Sequence, residues 1–154
     1  MVILTTLSVI VKDKKILLQK KAKGKFGEGK WNGAGGKAKQ NEKPRACLIR
    51  ELKEELGIKV NKFHLVGFFN FYKGEDPKPF IICYTYVVKE FSGTPTSSEE
   101  GIINWFDIND IPFSSMWADD KHWLPRVLAG ERLFGDFWYS PDLIELTNFN
   151  LRKL

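Results

Sequence analysis

The stretch that decides the fold reads Gly36-Lys37-Ala38-Lys39-Gln40-Asn41-Glu42-Lys43-Pro44-Arg45-Ala46-Cys47-Leu48-Ile49-Arg50-Glu51-Leu52-Lys53-Glu54-Glu55-Leu56-Gly57-Ile58. Its second half carries helix signals: Asn41 as a cap candidate, Pro44 near the first turn and Gly57 where a stop is expected. At about 100° per residue, Leu48, Ile49, Leu52 and Leu56 form one apolar stripe, and Glu51, Glu54 and Glu55 project from a neighbouring arc. Three carboxylates on one arc repel each other by a few tenths of a kcal/mol per pair, and Arg50 and Lys53 offset part of that. Such a face suits either solvent or a bound cation.

What lies upstream bears on that choice. Gly24 to Gly36 holds six glycines in thirteen positions, a loop whose bare backbone comes close to something. Before and within it, Lys12 to Lys30 contains eight lysines against Asp13 and Glu28, a net of +6. The other 16 basic and 17 acidic residues leave −1, so one segment carries the whole +5 of the chain. Lysines on a hairpin can guard an edge strand, or they can meet an anion. Hard divalent cations such as Mg²⁺ take oxygen ligands from carboxylates, carbonyls, water and substrate phosphates. Carboxylate helix, glycine loop and lysines in one unit therefore imply chemistry on a metal-bound phosphate ester.

The remainder reads as an α/β chain. Leu4 to Val11 and Lys15 to Lys20 form a hairpin around Lys12-Asp13-Lys14. Phe63 to Tyr72, Phe80 to Val88 and Gly101 to Phe106 are strand-like, with a loop at Ser92 to Ser98. Asp119 to Leu128 reads as a second helix ending near Gly130, followed by strands Arg132 to Tyr139 and Asp142 to Phe149 around a Ser140-Pro141 turn. With 154 residues, 43% hydrophobic and no repeat or linker, one domain with a mixed sheet between helices is expected over 1–154. Met1 to Val11 is too short to cross a bilayer and lacks the features of a leader, so it reads as a buried first strand. Cys47 and Cys83 match no zinc or redox spacing and read as small buried side chains, which points to a reducing, cytoplasmic setting. His64 and His122 stand alone and suit surface or packing roles.

Gly36, five residues, Glu42, seven residues, then Arg50-Glu51-Leu52-Lys53-Glu54-Glu55-Leu56-Gly57-Ile58 matches all nine defined positions of the Nudix box, G-x5-E-x7-R-E-U-x-E-E-x-G-U, with U a bulky aliphatic residue. The chain thus resembles the Nudix hydrolases. That resemblance implies a Nudix α/β/α sandwich and hydrolysis of a nucleoside diphosphate linked to another moiety, with Mg²⁺ or Mn²⁺. It places Glu51, Glu54 and Glu55 as metal-binding carboxylates and the Gly36 carbonyl as a further ligand. Arg50 corresponds to a residue that orients a carboxylate of the helix, and Glu42 to one that stabilises loop and helix. Glu100 matches a later glutamate that joins the metal site; Glu51, Glu55 and Glu100 all stay open as the base that takes a proton from water.

Outside the box the chain is similar, over nearly its full length, to the MutT-type enzymes that hydrolyse oxidised purine nucleoside triphosphates. The matching segments are Gly29-Lys30-Trp31-Asn32-Gly33, Gly93-Thr94-Pro95, Trp105-Phe106, Ile111-Pro112-Phe113 and Met116-Trp117-Ala118-Asp119-Asp120, then Trp123 and Pro125. The resemblance implies conversion of substrates of the 8-oxo-dGTP and 2-oxo-dATP type to monophosphate and pyrophosphate by attack at the β-phosphorus, cleansing the nucleotide pool. Asn32, Asp119 and Asp120 would read the purine edge, with Trp117 over one face and Phe71 on another side. Thr6 and Leu7 match pocket-lining positions and Lys21 a phosphate-side position.

Adjacent carboxylates in an apolar pocket titrate as a coupled pair, so one can stay protonated and donate. That would let Asp119 and Asp120 accept both oxidised guanine and oxidised adenine. Ala34 and Ala118 depart from an aromatic and a proline of the resembled enzymes, and Lys20 to Phe26 aligns only with a one-residue insertion. Another nucleotide, such as an unmodified or methylated purine triphosphate or a nucleotide sugar, is the alternative substrate. A binding module without turnover is disfavoured by the complete carboxylate set, and nucleic-acid binding by the lack of any matching motif. The expected partner is a small nucleotide, with no membrane and a monomeric chain.

Overall fold

The computed structural model describes residues 1–154. Its strands are β1 (Ile3–Lys12), β2 (Lys15–Lys21), β3 (Trp31–Asn32), β4 (Gly35–Lys37), β5 (Lys59–Lys73), β6 (Ile81–Ser92), β7 (Gly101–Asp107), β8 (Leu133–Tyr139) and β9 (Leu146–Lys153), with helices α1 (Pro44–Leu56) and α2 (Asp120–Leu128). The main strand order is β3-β2-β1-β6-β5-β8-β9, with β4 on β1 and β7 on β2. Pairing is mixed: β1 runs parallel to β6 and β5 parallel to β8, and the other ladders are antiparallel.

Strand β1 is where the sheet forks. Thr5, Thr6 and Leu7 pair with β4, whereas Val11 and Lys12 pair with β2. Alternation of side chains then feeds two cores. Val9, Ile16 and Leu18 pack with Phe69, Trp123, Leu124, Val127 and Phe137 on the α2 side. Ile10 and Leu17 pack with Leu48, Leu52, Leu56 and Ile58 on the α1 side. A mixed sheet between two helices, the expected α/β/α sandwich, results.

Several expectations need correction. Asn41 does not cap α1; it sits at φ 63° in a turn, and Lys43 holds the cap position without a side-chain bond. Pro44 starts the helix, where a missing N–H loses no hydrogen bond, and Gly57 at φ 71° ends it by donating its N–H to the Lys53 carbonyl. Ile49 is 43% exposed, so the buried face is Cys47, Leu48, Leu52 and Leu56 with Glu55 among them. The glycine-rich stretch is not wholly irregular, since β3 and β4 lie inside it. β9 starts at Leu146 rather than Asp142, because Ser140 to Glu145 forms a closed turn with Leu143 at φ 65° and the Ser140 N–H on the Glu145 carbonyl at 2.8 Å. Both cysteines are free and buried, as read from the sequence. No helix is long and apolar enough to cross a membrane.

Candidate active site

The fork beside β1 opens into a cleft of about 690 Å³. One end is built on α1 and β4. Gly36 leaves room for a carboxylate: a Cβ there would lie 2.5 Å from Glu51 Cδ and 2.6 Å from its Oε2. Gly35 is equally constrained, because its Cβ would fall 2.0 Å from the Thr6 carbonyl oxygen across the β1–β4 ladder. These glycines let backbone and carboxylate share one space. Thr6 is buried in the same wall, its hydroxyl 3.4 Å from Cys47 Sγ.

Glu55 is only 4% exposed. Its Oε2 accepts the Gly35 N–H at 3.1 Å and its Oε1 lies 3.7 Å from Lys21 Nζ. Burial pushes its carboxyl up to about 7, with Lys21 opposing and Glu51 and Glu100 adding to the rise. Lys21 is steadied by donating to Gln19 Oε1 at 3.1 Å. Gln19 Nε2 is buried without a partner.

Arg50 ties the helix to the loop before it. Its Nε and Nη2 donate to the two Glu42 oxygens at 2.7 and 2.8 Å, Nη1 to Glu51 Oε1 at 2.8 Å and Glu54 Oε2 at 3.1 Å, and Nη2 to the Lys37 carbonyl at 3.1 Å. Glu42 also accepts the Lys39 N–H at 3.0 Å. These bonds, the Arg50 pairing first, lower the Glu42 carboxyl from 4.5 to about 2. A depressed acid stabilises the fold above its unfolded value and ceases to do so as pH falls through the folded one. Glu42→Gln is therefore expected to flatten the fall in melting temperature between pH 4.5 and about 2, measured by circular dichroism. An unchanged acid limb would show that the Arg50–Glu42 clasp does not couple to folding.

The predicted carboxylates do not all converge. Glu51 and Glu55 line the cleft from α1, and Glu100 lines it from the turn before β7, its Oε1 3.1 Å from Lys25 Nζ. Glu54 is 57% exposed and does not line the cleft. No three acidic, histidine or cysteine side chains form a ready-made metal cluster, with Arg50 holding Glu51 and Glu54. The donors at hand are the Gly36 backbone and the Glu51 and Glu55 carboxylates, oxygen atoms without nitrogen or sulfur, and this set suits a hard divalent cation. Of the eight clustered lysines only Lys21 and Lys25 line the cleft; Lys12, Lys14 and Lys15 surround the β1–β2 turn. The cluster as a whole does not line the cleft.

The other end is aromatic and acidic. Trp117 stacks on Phe26 with ring centroids 5.3 Å apart and 21° between planes, and Lys30 Nζ lies 5.1 Å from its ring. Phe71 stacks on Phe137 at 5.3 Å. Asn32 keeps its Oδ1 on the Gly33 N–H at 2.9 Å. Asp119 and Asp120, at 4% and 3% exposure, line the cleft at the start of α2, and Asp119 makes no capping bond there. Asp119 Oδ2 instead accepts from Trp123 Nε1 at 2.9 Å, and its Oδ1 accepts from the Tyr139 hydroxyl. Burial raises both carboxyls; Asp120 goes up well beyond the usual range, and the neighbouring Asp119 charge adds to the effect.

Phe26, Lys25 and Tyr139 escaped the sequence reading as site residues. Tyr139 had a usable signal: Leu133, Gly135, Phe137 and Tyr139 alternate inward along β8, and a buried phenol needs a partner. His122 stacks on Phe149 at 4.1 Å, a packing role.

This fold and box define a Nudix hydrolase: the NUDIX domain profile matches residues 3–127, and the chain belongs to that family. Members generally use a divalent metal ion and act on small nucleotides. The chain is 34% identical over 151 residues to an oxidized purine nucleoside triphosphate hydrolase of Mus musculus, covering 98% of this chain and 95% of the relative. A Danio rerio protein of the same name is 40% identical over 138 residues, covering 89% and 86%. The crystal structure of a MutT protein from Bacillus halodurans superposes with a TM-score of 0.85 at 29% identity over 97% of both chains.

Proposed function

We propose that this chain hydrolyses oxidised purine nucleoside triphosphates of the 8-oxo-dGTP and 2-oxo-dATP type to monophosphate and pyrophosphate, with Mg²⁺ as the ion and Mn²⁺ as a substitute, acting in the cytoplasm to cleanse the nucleotide pool. One observation carries this reading: a single cleft joins the Gly36–Glu51–Glu55 end to the Asn32–Trp117–Asp119–Asp120 end. Its volume falls within the roughly 300 to 1,000 Å³ usual for small-ligand sites.

In this reading the Gly36 carbonyl with Glu51 and Glu55 would hold the cation, Glu100 would join from the turn before β7, and Glu54 would join only on leaving its bond to Arg50. When bound, the ion lowers the pKa of water and neutralises phosphate oxygens. The chain's own residues do the rest. Lys21 and Lys25 face phosphate charge, a carboxylate within hydrogen-bond reach of the attacking water takes its proton, and Arg50 keeps the helix carboxylates in register with the loop. Trp117 offers a broad face for the base, and Phe71 closes another side. Asn32, with donors and acceptors on one amide, reads the edge together with the two aspartates.

A steady-state panel tests the reading. Release of pyrophosphate from 8-oxo-dGTP, 2-oxo-dATP, O6-methyl-dGTP and dGTP is expected to favour the oxidised substrates over dGTP by at least about tenfold in kcat/KM. Equal turnover of dGTP and 8-oxo-dGTP would remove the sanitation role. Asp119→Asn and Asp120→Asn are each expected to change the ranking; an unchanged ranking would free both aspartates from base recognition.

A further inference from the structure

Tyr139 makes two hydrogen bonds whose directions follow from proton counting. Its oxygen accepts the backbone N–H of Asp119 at 3.0 Å, so its one proton points away from that bond, and Asp119 Oδ1 is the acceptor that receives it. Trp123 Nε1 is a donor only and takes Asp119 Oδ2 at 2.9 Å. Both oxygens of Asp119 therefore accept, which is the pattern of an ionised carboxylate. Asp120, adjacent and equally buried, has Oδ2 without any partner, although it lines the cleft. Two neighbouring buried carboxylates resist carrying two charges, and the one proton they share goes to the member that keeps an oxygen no donor reaches, Asp120 Oδ2.

Resting on the oxidised-purine reading, we propose that Tyr139 is a positioning residue that fixes the shared proton on Asp120, leaving Asp119 as acceptor, and so biases the cleft toward 6-oxopurines over 6-aminopurines. A guanine-type edge offers a carbonyl at position 6 beside a ring N–H at position 1. Protonated Asp120 opposite the carbonyl and ionised Asp119 opposite the N–H complement it. A 6-amino group opposite Asp120 sets donor against donor unless the proton moves to Asp119, where the Tyr139 O–H and the Trp123 N–H already occupy both oxygens. The other titratable groups facing the pair are Cys83 on β6 and His122 on α2. Burial pushes the Cys83 thiol up to about 11, so neither it nor the raised Tyr139 phenol ionises near neutral pH. Burial lowers the His122 imidazole, with Lys121 adding to the fall and Asp119 opposing it.

Tyr139→Phe removes one oxygen and keeps the ring. The first measurement uses no substrate: carboxyl ¹³C shifts of Asp-labelled protein against pH, assigned through Asp119→Asn and Asp120→Asn. In the wild-type protein Asp120 is expected to show the protonated shift at neutral pH and Asp119 the ionised one, and in Tyr139→Phe the proton is expected to spread over both. The second compares kcat/KM for 8-oxo-dGTP and 2-oxo-dATP, whose ratio is expected to fall about tenfold in Tyr139→Phe, with the pH profile of KM for 2-oxo-dATP shifted. A protonated Asp119 in the wild type, or carboxyl shifts unmoved by Tyr139→Phe, overturns the positioning role whatever the substrate. Shifts that move while the substrate ratio stays constant overturn the selectivity. If neither oxidised purine is turned over by the wild type while the shifts behave as expected, the oxidised-purine reading fails and the proton assignment stands.

Discussion

Glu55→Gln is expected to lower Mg²⁺-dependent pyrophosphate release by about 10²- to 10⁴-fold, the range over which a positioned proton-transfer group contributes. Glutamine keeps the size and can still accept the Gly35 N–H, but it supplies neither charge for a cation nor a site for a proton. The fold is not expected to suffer. Without metal, the Glu55 carboxyl is raised by burial from 4.5 to about 7, so its contribution to stability is present below pH 4.5 and lost as pH rises through about 7. The glutamine variant escapes that loss, and its melting temperature in EDTA is expected to exceed the wild-type value above pH 7 while converging with it in acid. Pyrophosphate assays and thermal melts on the same preparation separate the two effects. Wild-type release by the variant would remove Glu55 from the catalytic centre.

Gly36→Ala acts on the same centre through space. The new methyl would sit 2.5 Å from Glu51 Cδ, closer than packed atoms tolerate, so the carboxylate has to leave its place against β4. Displacements of about 1 Å in catalytic groups cost about 10²-fold in rate, and a decline of that order in kcat is expected. Release of the Arg50–Glu51 bond, 2.8 Å long in the wild type, is the structural signature that a crystal structure of the variant would show. Near-wild-type kcat would mean that the seat of Glu51 is irrelevant to turnover.

Much of the architecture was legible because single residues carry strong backbone rules. Pro44 and Gly57 bracket α1 by the lost N–H of one and the left-handed backbone of the other, and the Lys12-Asp13-Lys14 hairpin stands where two apolar runs are split by charge. The nine box positions carry the resemblance that points to the family. What stayed hidden depends on neighbours far along the chain. Helical periodicity put Ile49 in the apolar stripe and Glu55 with the charged residues, yet it cannot say that Gly35 and Lys21 wait beneath Glu55 to compensate its burial. Glycine density suggested loop at Gly35 and Gly36, and only neighbours distant in sequence explain why glycines form β4: the Thr6 carbonyl across the ladder at Gly35 and the Glu51 carboxylate at Gly36. Local rules place Asp119 at a helix start, where capping is its ordinary task; its actual partner Tyr139 arrives from another strand.

The parallel ladders of the sheet have a consequence for how the enzyme comes into being. Ile3 pairs with Ile81 and Gly67 with Leu133, so β1 waits for β6 and β5 waits for β8. Contacts so distant along the chain close slowly, because the intervening loop entropy is lost before they form. The cleft draws its walls from Thr6 near one terminus and Tyr139 near the other. A nascent chain that stops short of β8 lacks Tyr139 and cannot complete that wall, so the cleft closes late in synthesis.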